Sequence, residues 1–187
     1  MALGACQLGV MYLFYYQSFL YLSVPEVLLF TIMTPIYVTL IYDLMQGNRL
    51  RWGYLFSALL AVLGALIIRY NPLSPQFLLG FALIQGANIC FAIGQVGYKR
   101  VMEISPMPQR NAFSWFYLGA LCIALPAWLL FGHHQMMPTT GLQWGILIWL
   151  GVGASGMGYF MWNYGATQVD AGTLAIMNNV LIPAGLL

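Results

Sequence analysis

The feature that most constrains this 187-residue chain is a series of apolar runs separated by short turn-forming stretches. The runs are about 20 residues long, enough for a helix to cross some 30 Å of hydrocarbon, whereas a transmembrane barrel strand needs only about 10. Two-residue alternation of the kind a strand requires is absent from them. With 61% hydrophobic and only 5% charged residues, the chain cannot cover a water-facing surface, for which about 25% charged residues is usual. An all-α, polytopic membrane helix bundle is the fold class these numbers allow, and a soluble domain with one anchor is excluded by the number of runs.

Seven segments are predicted: 3–22, 25–45, 52–68, 77–98, 111–132, 142–164 and 171 onward. The stretches between them read SVPE, QGNRLR, RYNPLSP, KRVMEISPMPQR, GHHQMMPTTG and QVDAG, all rich in turn residues. Pro25 and Asp170 suit helix starts, one through its fixed φ and the other as a cap or first-turn anion. Arg49, Arg51, Lys99, Arg100 and Arg110 fall in two loops on one side of the membrane, with only Arg69 opposite. That asymmetry makes the two basic loops cytoplasmic and puts the His133-His134 loop outside.

Cys6, Cys90 and Cys122 lie in separate apolar runs without pairing or ligand spacing, so they read as small packing residues. Leu3-Gly-Ala-Cys6 superficially matches a lipoprotein cleavage site, but no basic or apolar leader precedes it. The first segment starts at residue 3 without a charged flank and the last stops at Leu187 short of a loop. An interior piece of a longer protein is the expectation.

Shifting the sequence by 148 residues lays YYQSFLYLSVPEVLLFTIMTP (15–35) over NYGATQVDAGTLAIMNNVLIP (163–183), pairing Tyr16 with Tyr164, Ser23 with Ala171 and Pro35 with Pro183. The shared layout is an aromatic helix end, a small-residue turn and a proline-interrupted helix. The copies are five segments apart and so cross the membrane in opposite directions, the arrangement of an inverted repeat. The order of these motifs resembles EamA-type transporters of the drug/metabolite transporter superfamily. That resemblance implies two inverted five-helix repeats, with about seven of the ten helices present. Residues 1–70 would be the C-terminal part of the first repeat and 71–187 the N-terminal part of the second.

Asn178 and Asn179 stand together in an otherwise apolar run. An unpaired buried amide costs about 1–3 kcal/mol, while an interhelical hydrogen bond in a membrane returns about 0.6 kcal/mol on average. Each is therefore either glue between helices or part of a polar cavity. Adjacent helix positions diverge by about 100°, so one neighbouring helix does not easily serve both. Gln85, Asn88 and Gln95 share one face of the fourth segment, and Ser155, Tyr159 and Asn163 share one face of the sixth. Tyr12, Tyr15 or Tyr16, and Phe19 line one side of the first, Thr31 and Thr34 precede Pro35, and Trp162 lies near a segment end. Five helices bringing polar or aromatic stripes is more than glue alone demands. Tyr15, Tyr16, Thr31, Gln85, Asn88, Gln95, Tyr159, Trp162, Asn163, Asn178 and Asn179 are the substrate-pathway candidates.

Glu26 follows Pro25 directly and reads either as a first-turn acid favoured by the helix dipole or as a proton-coupling site. His133, His134, Met136 and Met137 lack the spacing of a closed metal site, so no metal is assigned. The run GVGASGMG (151–158) supplies small residues for close helix packing or a hinge. No nucleophile–base pair, paired carboxylates or phosphate-binding glycine loop is present, which argues against an enzyme and against a bound cofactor. The leading reading is a secondary transporter of the bacterial inner membrane that exports small metabolites such as amino acids. The partners would be a small-molecule substrate and the lipid bilayer, with no nucleic acid, and a homodimer stays open. The alternative is a non-transporting scaffold or an inactive transporter fragment.

Overall fold

The computed structural model describes residues 1–47, 75–132 and 137–180, together with Gly53 and Phe56. The segment expected at 52–68, the residues Arg49, Arg51 and Arg69, the His133-His134-Met136 cluster and Pro183 lie outside the described residues.

Among the described residues every regular element is helical. Six rods follow one another: α1 (residues 2–18), α2 (Val24–Met45), α3 (Pro75–Ile104), α4 (Gln109–Phe131), α5 (Gly141–Ala166) and α6 (Ala171–Asn178). Of these, α2 to α5 are each long and apolar enough to cross a membrane, which makes the chain a multi-pass membrane protein.

Local chemistry sets the ends and irregularities. Ser23 and Glu26 form a capping box at the start of α2, with Pro25 in the first turn. Inside α2 the interruption expected near Pro35 takes the form of a 3₁₀ turn at Thr31–Met33. Pro35 has no N–H to offer Thr31, and the Thr34 N–H bonds the Thr31 carbonyl instead, tightening the helix there. The basic stretch after residue 98, expected as loop, is instead helical as far as Ile104. Lys99 and Arg100 both pair with Glu103, at 3.1 and 2.6 Å, one helical turn on, and such pairs support a helix beyond its apolar part. The Lys99 ammonium is buried and also donates to the Val169 carbonyl at 2.7 Å, tying α3 to the turn before α6.

Asp170 caps α6 as expected, accepting from the Thr173 N–H at 2.9 Å and its hydroxyl at 2.7 Å. These bonds from Thr173 hold the Asp170 carboxyl below the usual carboxylate range. A depressed native pKa means that the cap stabilises at neutral pH and that this contribution is lost as pH falls through the native value. Asp170→Ala should therefore lower thermal stability near neutrality and leave it unchanged in acid, as thermal unfolding in detergent at a series of pH values would show.

Among the described residues two stretches are π-helical: Ala5–Val10 in α1 and Trp149–Gly158 in α5. Each is followed by an eight-residue α-helix, Met11–Ser18 and Tyr159–Ala166, in the register of the 148-residue offset. Contacts of Gln7 with Asn163 and of Tyr12 with Ser155 show that α1 and α5 run antiparallel where they meet.

Helix α3 is the centre of the bundle. Its Phe77, Ile84 and Ala87 pack with Met11 of α1 and Phe30 of α2. Further along, Ala92 and Val96 pack with Val38 of α2 and Leu174 of α6, and Tyr98 packs with Leu8, Phe113 and Phe116 of α1 and α4. The approach of α1 to α3 is close enough to require glycine. A Cβ on Gly94 would sit 2.1 Å from the Cβ of Gln7. The glycine run 151–158 behaves otherwise than expected for a packing face. A Cβ at Gly151 would meet nothing within 4 Å, and the run borders an apolar groove of about 860 Å³ between α1, α4 and α5.

Candidate functional site

A cavity of about 410 Å³ lies where α1, α2, α3, α5 and α6 converge. Tyr12, Tyr15 and Tyr16 come from the α-helical part of α1, Thr31 and Thr34 from the tightened turn of α2, Asn88 and Phe91 from α3, Tyr159 from α5 and Asn178 from α6. A smaller space of about 240 Å³ adjoins it, sharing Phe91, Ala154, Tyr159 and Asn178 and adding Trp162. The tyrosines form one aromatic wall. Tyr12 meets Tyr16 and Tyr159 at 5.4 and 6.1 Å between ring centroids, and Tyr15 meets Tyr16 at 5.9 Å.

The structure thus brings Tyr15, Tyr16, Thr31, Asn88, Tyr159 and Asn178 to one cavity, with Trp162 beside it. The other sequence-derived candidates fall behind this wall or away from it. Gln85 lies behind Asn88: its Oε1 accepts from the Tyr37 hydroxyl at 3.0 Å and from Asn88 Nδ2 at 3.2 Å. Both Asn88 and Gln85 donate to the Phe30 carbonyl, at 3.0 and 3.4 Å. The 3₁₀ turn makes that bond available, because the Thr34 N–H is turned to Thr31. Gln95 is fully buried and accepts from Asn178 Nδ2 at 3.5 Å, while its own Nε2 has no partner among the described residues.

Asn163 does not reach the cavity wall. It forms a reciprocal amide pair with Gln7, two bonds of 3.1 Å between side chains that are both fully buried. Asn179 is absent from both linings, and its buried Oδ1 has no partner among the described residues. The two adjacent asparagines diverge as helix geometry requires, and only Asn178 borders the cavity. Glu26 accepts from the N–H and the hydroxyl of Ser23, both at 2.8 Å. Capping is the role its geometry gives it, and neither cavity includes it.

Gln7 is the buried polar partner that sequence reading passed over. The signal was available: a carboxamide in an apolar run, the same mark that singled out Asn178. Phe91, which contacts Tyr159 at 6.1 Å between centroids, carried no such mark among many apolar rings.

Residues 78–184 match the EamA-like transporter family. The chain belongs to that family. It is 66% identical over 187 residues to a protein of Escherichia coli K12 named biotin transporter, covering 100% of this chain and 62% of that protein. A protein of the same name from Salmonella typhimurium is 64% identical over the same coverage. The chain therefore spans less than two thirds of the length of these relatives. A crystal structure of a protein 19% identical superposes with a TM-score of 0.69, covering 100% of this chain and 67% of the other, which supports the fold.

No Lys, Arg, Asp or Glu lines either space among the described residues. Carboxamides, hydroxyls and aromatic rings are what a ligand would meet.

Proposed function

We propose that the protein is a non-enzymatic secondary transporter that moves biotin across the bacterial inner membrane by alternating access. The observation that carries this is the cavity at the meeting point of five helices, bordered by polar side chains and by an aromatic wall. At about 410 Å³ it falls in the range of small-molecule sites, about 300–1,000 Å³. The tyrosine rings suit the apolar flanks of a bicyclic ligand, and the carboxamides suit a ureido group.

The amino-acid substrate expected from the sequence is replaced by biotin in this reading. The relatives' shared name supports biotin. The uncharged lining points the same way, because a zwitterion would bring two charges into a space that pairs neither, at a cost of several kcal/mol per ion. Biotin brings one carboxylate, which can stay at the open end of the cavity.

Alternating access needs two halves that exchange conformations. The division into a first repeat (1–70) and a second (71–187) is supported by the matching succession of π-helix and eight-residue α-helix in α1 and α5. The antiparallel contact of these helices supports an inverted relation. Lys99 and Arg100 near the end of α3, and Arg110 at the start of α4, support a cytoplasmic position for that end of the bundle.

Full-length protein in proteoliposomes should give saturable uptake and counterflow of labelled biotin. Unlabelled biotin should compete and a panel of amino acids should not. Asn178→Ala, checked for correct folding, should reduce flux at sub-saturating biotin by about five-fold or more. Folded wild-type protein that moves no biotin in either direction would remove this reading and favour a scaffold.

A further inference from the structure

The two carboxamides at the cavity are oriented by the protein. Asn88 uses both hydrogens of Nδ2, one on the Phe30 carbonyl at 3.0 Å and one on Gln85 Oε1 at 3.2 Å. Asn178 does the same with the Leu174 carbonyl at 2.9 Å and Gln95 Oε1 at 3.5 Å. Turning either group over would set its oxygen against two other oxygens, so the choice of rotamer is fixed by hydrogen bonding. What each asparagine has left for a ligand is its Oδ1, and both residues line the same space.

We infer that Asn88 and Asn178 act as a pair of acceptors for ligand N–H groups, and that the site thereby selects a cyclic urea through its two ring N–H donors. This rests on the biotin reading above and assigns how the substrate would be recognised. A ureido ring carries two N–H groups flanking one carbonyl. Two acceptors held by two neighbouring helices, α3 and α6, are available for these N–H groups. The hydroxyls of Tyr15, Tyr16 and Thr34 border the same cavity and can donate to the carbonyl oxygen. Gln85 and Gln95 are positioning residues, since each holds the Nδ2 of one asparagine and so aims its oxygen. An ammonium group would also meet acceptors and aromatic rings, but among the described residues no carboxylate lines the cavity to neutralise it.

The test is competition against labelled biotin uptake by the full-length protein in proteoliposomes. The competitors are biotin, desthiobiotin (ureido ring kept, sulfur ring lost), biotin methylated at one or the other ureido nitrogen, and a simple aliphatic amine. Wild type should accept desthiobiotin within a few-fold of biotin and lose about five-fold or more with each N-methyl analogue, the value of one neutral hydrogen bond. Asn88→Ala and Asn178→Ala should each weaken biotin by a similar factor. Each should also abolish the penalty for methylation at one nitrogen only, because the acceptor is gone and room is gained. A purely structural role would lower all ligands together and leave the methylation penalties unchanged, and that pattern overturns the inference. So does wild type that accepts N-methyl analogues as well as biotin, a result that needs no variant to fold. Competition by the amine at biotin-like concentration overturns it in favour of a cation site. Absence of wild-type biotin flux removes the biotin reading and this inference together, whereas normal flux with unchanged methylation penalties removes this inference alone.

Discussion

Gly94→Leu should lower the stability of the folded bundle by about 3 kcal/mol, the upper end for overpacked cores, and should reduce the yield of monodisperse protein in mild detergent. The cause is the closeness of α1 and α3. A Cβ at position 94 would lie 2.1 Å from Gln7 Cβ, 2.7 Å from its Cγ and 2.9 Å from its Oε1. The first two atoms sit near the backbone of α1 and cannot swing away as a flexible tip can. Leucine would have to push α1 off α3, opening the cluster that joins Met11, Phe30 and Ile84. It would also displace the Gln7 amide from Asn163. Gly145→Ala is the control, because a Cβ there meets nothing within 4 Å and alanine is the better helix former. Thermal unfolding of the two variants beside wild type, followed by size-exclusion profile after heating, separates them. Equal stability of Gly94→Leu and wild type would mean that α1 and α3 do not pack as described.

Asn163→Leu should cost about 2 kcal/mol and Gln7→Met a similar amount, while the double variant should recover to within about 1 kcal/mol of wild type. The two side chains are fully buried and satisfy each other with reciprocal 3.1 Å bonds. Removing one leaves a donor and an acceptor of the other without partners in a medium that offers no water. Removing both leaves an apolar contact of similar shape, which membrane interiors accept readily. The figure is above the average of about 0.6 kcal/mol for interhelical bonds in membranes, because two bonds are lost and the surviving amide cannot reach solvent. A double-mutant cycle on thermal stability measures the coupling directly. Additive single effects would show that the amides find other partners when separated.

The same pair illustrates what was legible in the sequence and what was not. That Asn163 is buried and polar could be read from its place in an apolar run. That it bonds Gln7, 156 positions away, could not, because helical periodicity reports which residues share a face and says nothing about which helix that face meets. The 3₁₀ turn in α2 is a case between these. Pro35 and its two threonines mark an interruption, but its use as a bond between α2 and α3 through the Phe30 carbonyl depends on where α3 passes. The helical extension to Ile104 was legible in principle from the Lys99, Arg100 and Glu103 spacing. It was obscured by reading charge as the end of a helix when it marks only the end of the apolar part.

By itself the sequence determined that the chain is a bundle of membrane-crossing helices, where most of them begin and end, and that polar side chains had to be either paired or gathered around a cavity. These follow from solvent and hydrogen-bonding requirements that each segment meets locally. Only the tertiary structure decided which amides did which. Asn88 and Asn178 came to the cavity with their nitrogens already engaged, Gln85 and Gln95 came to stand behind them, and Asn163 was withdrawn into a pair with Gln7. The physical reason is that a buried carboxamide is satisfied by whatever lies within about 3 Å of it, and that distance is set by how the helices pack.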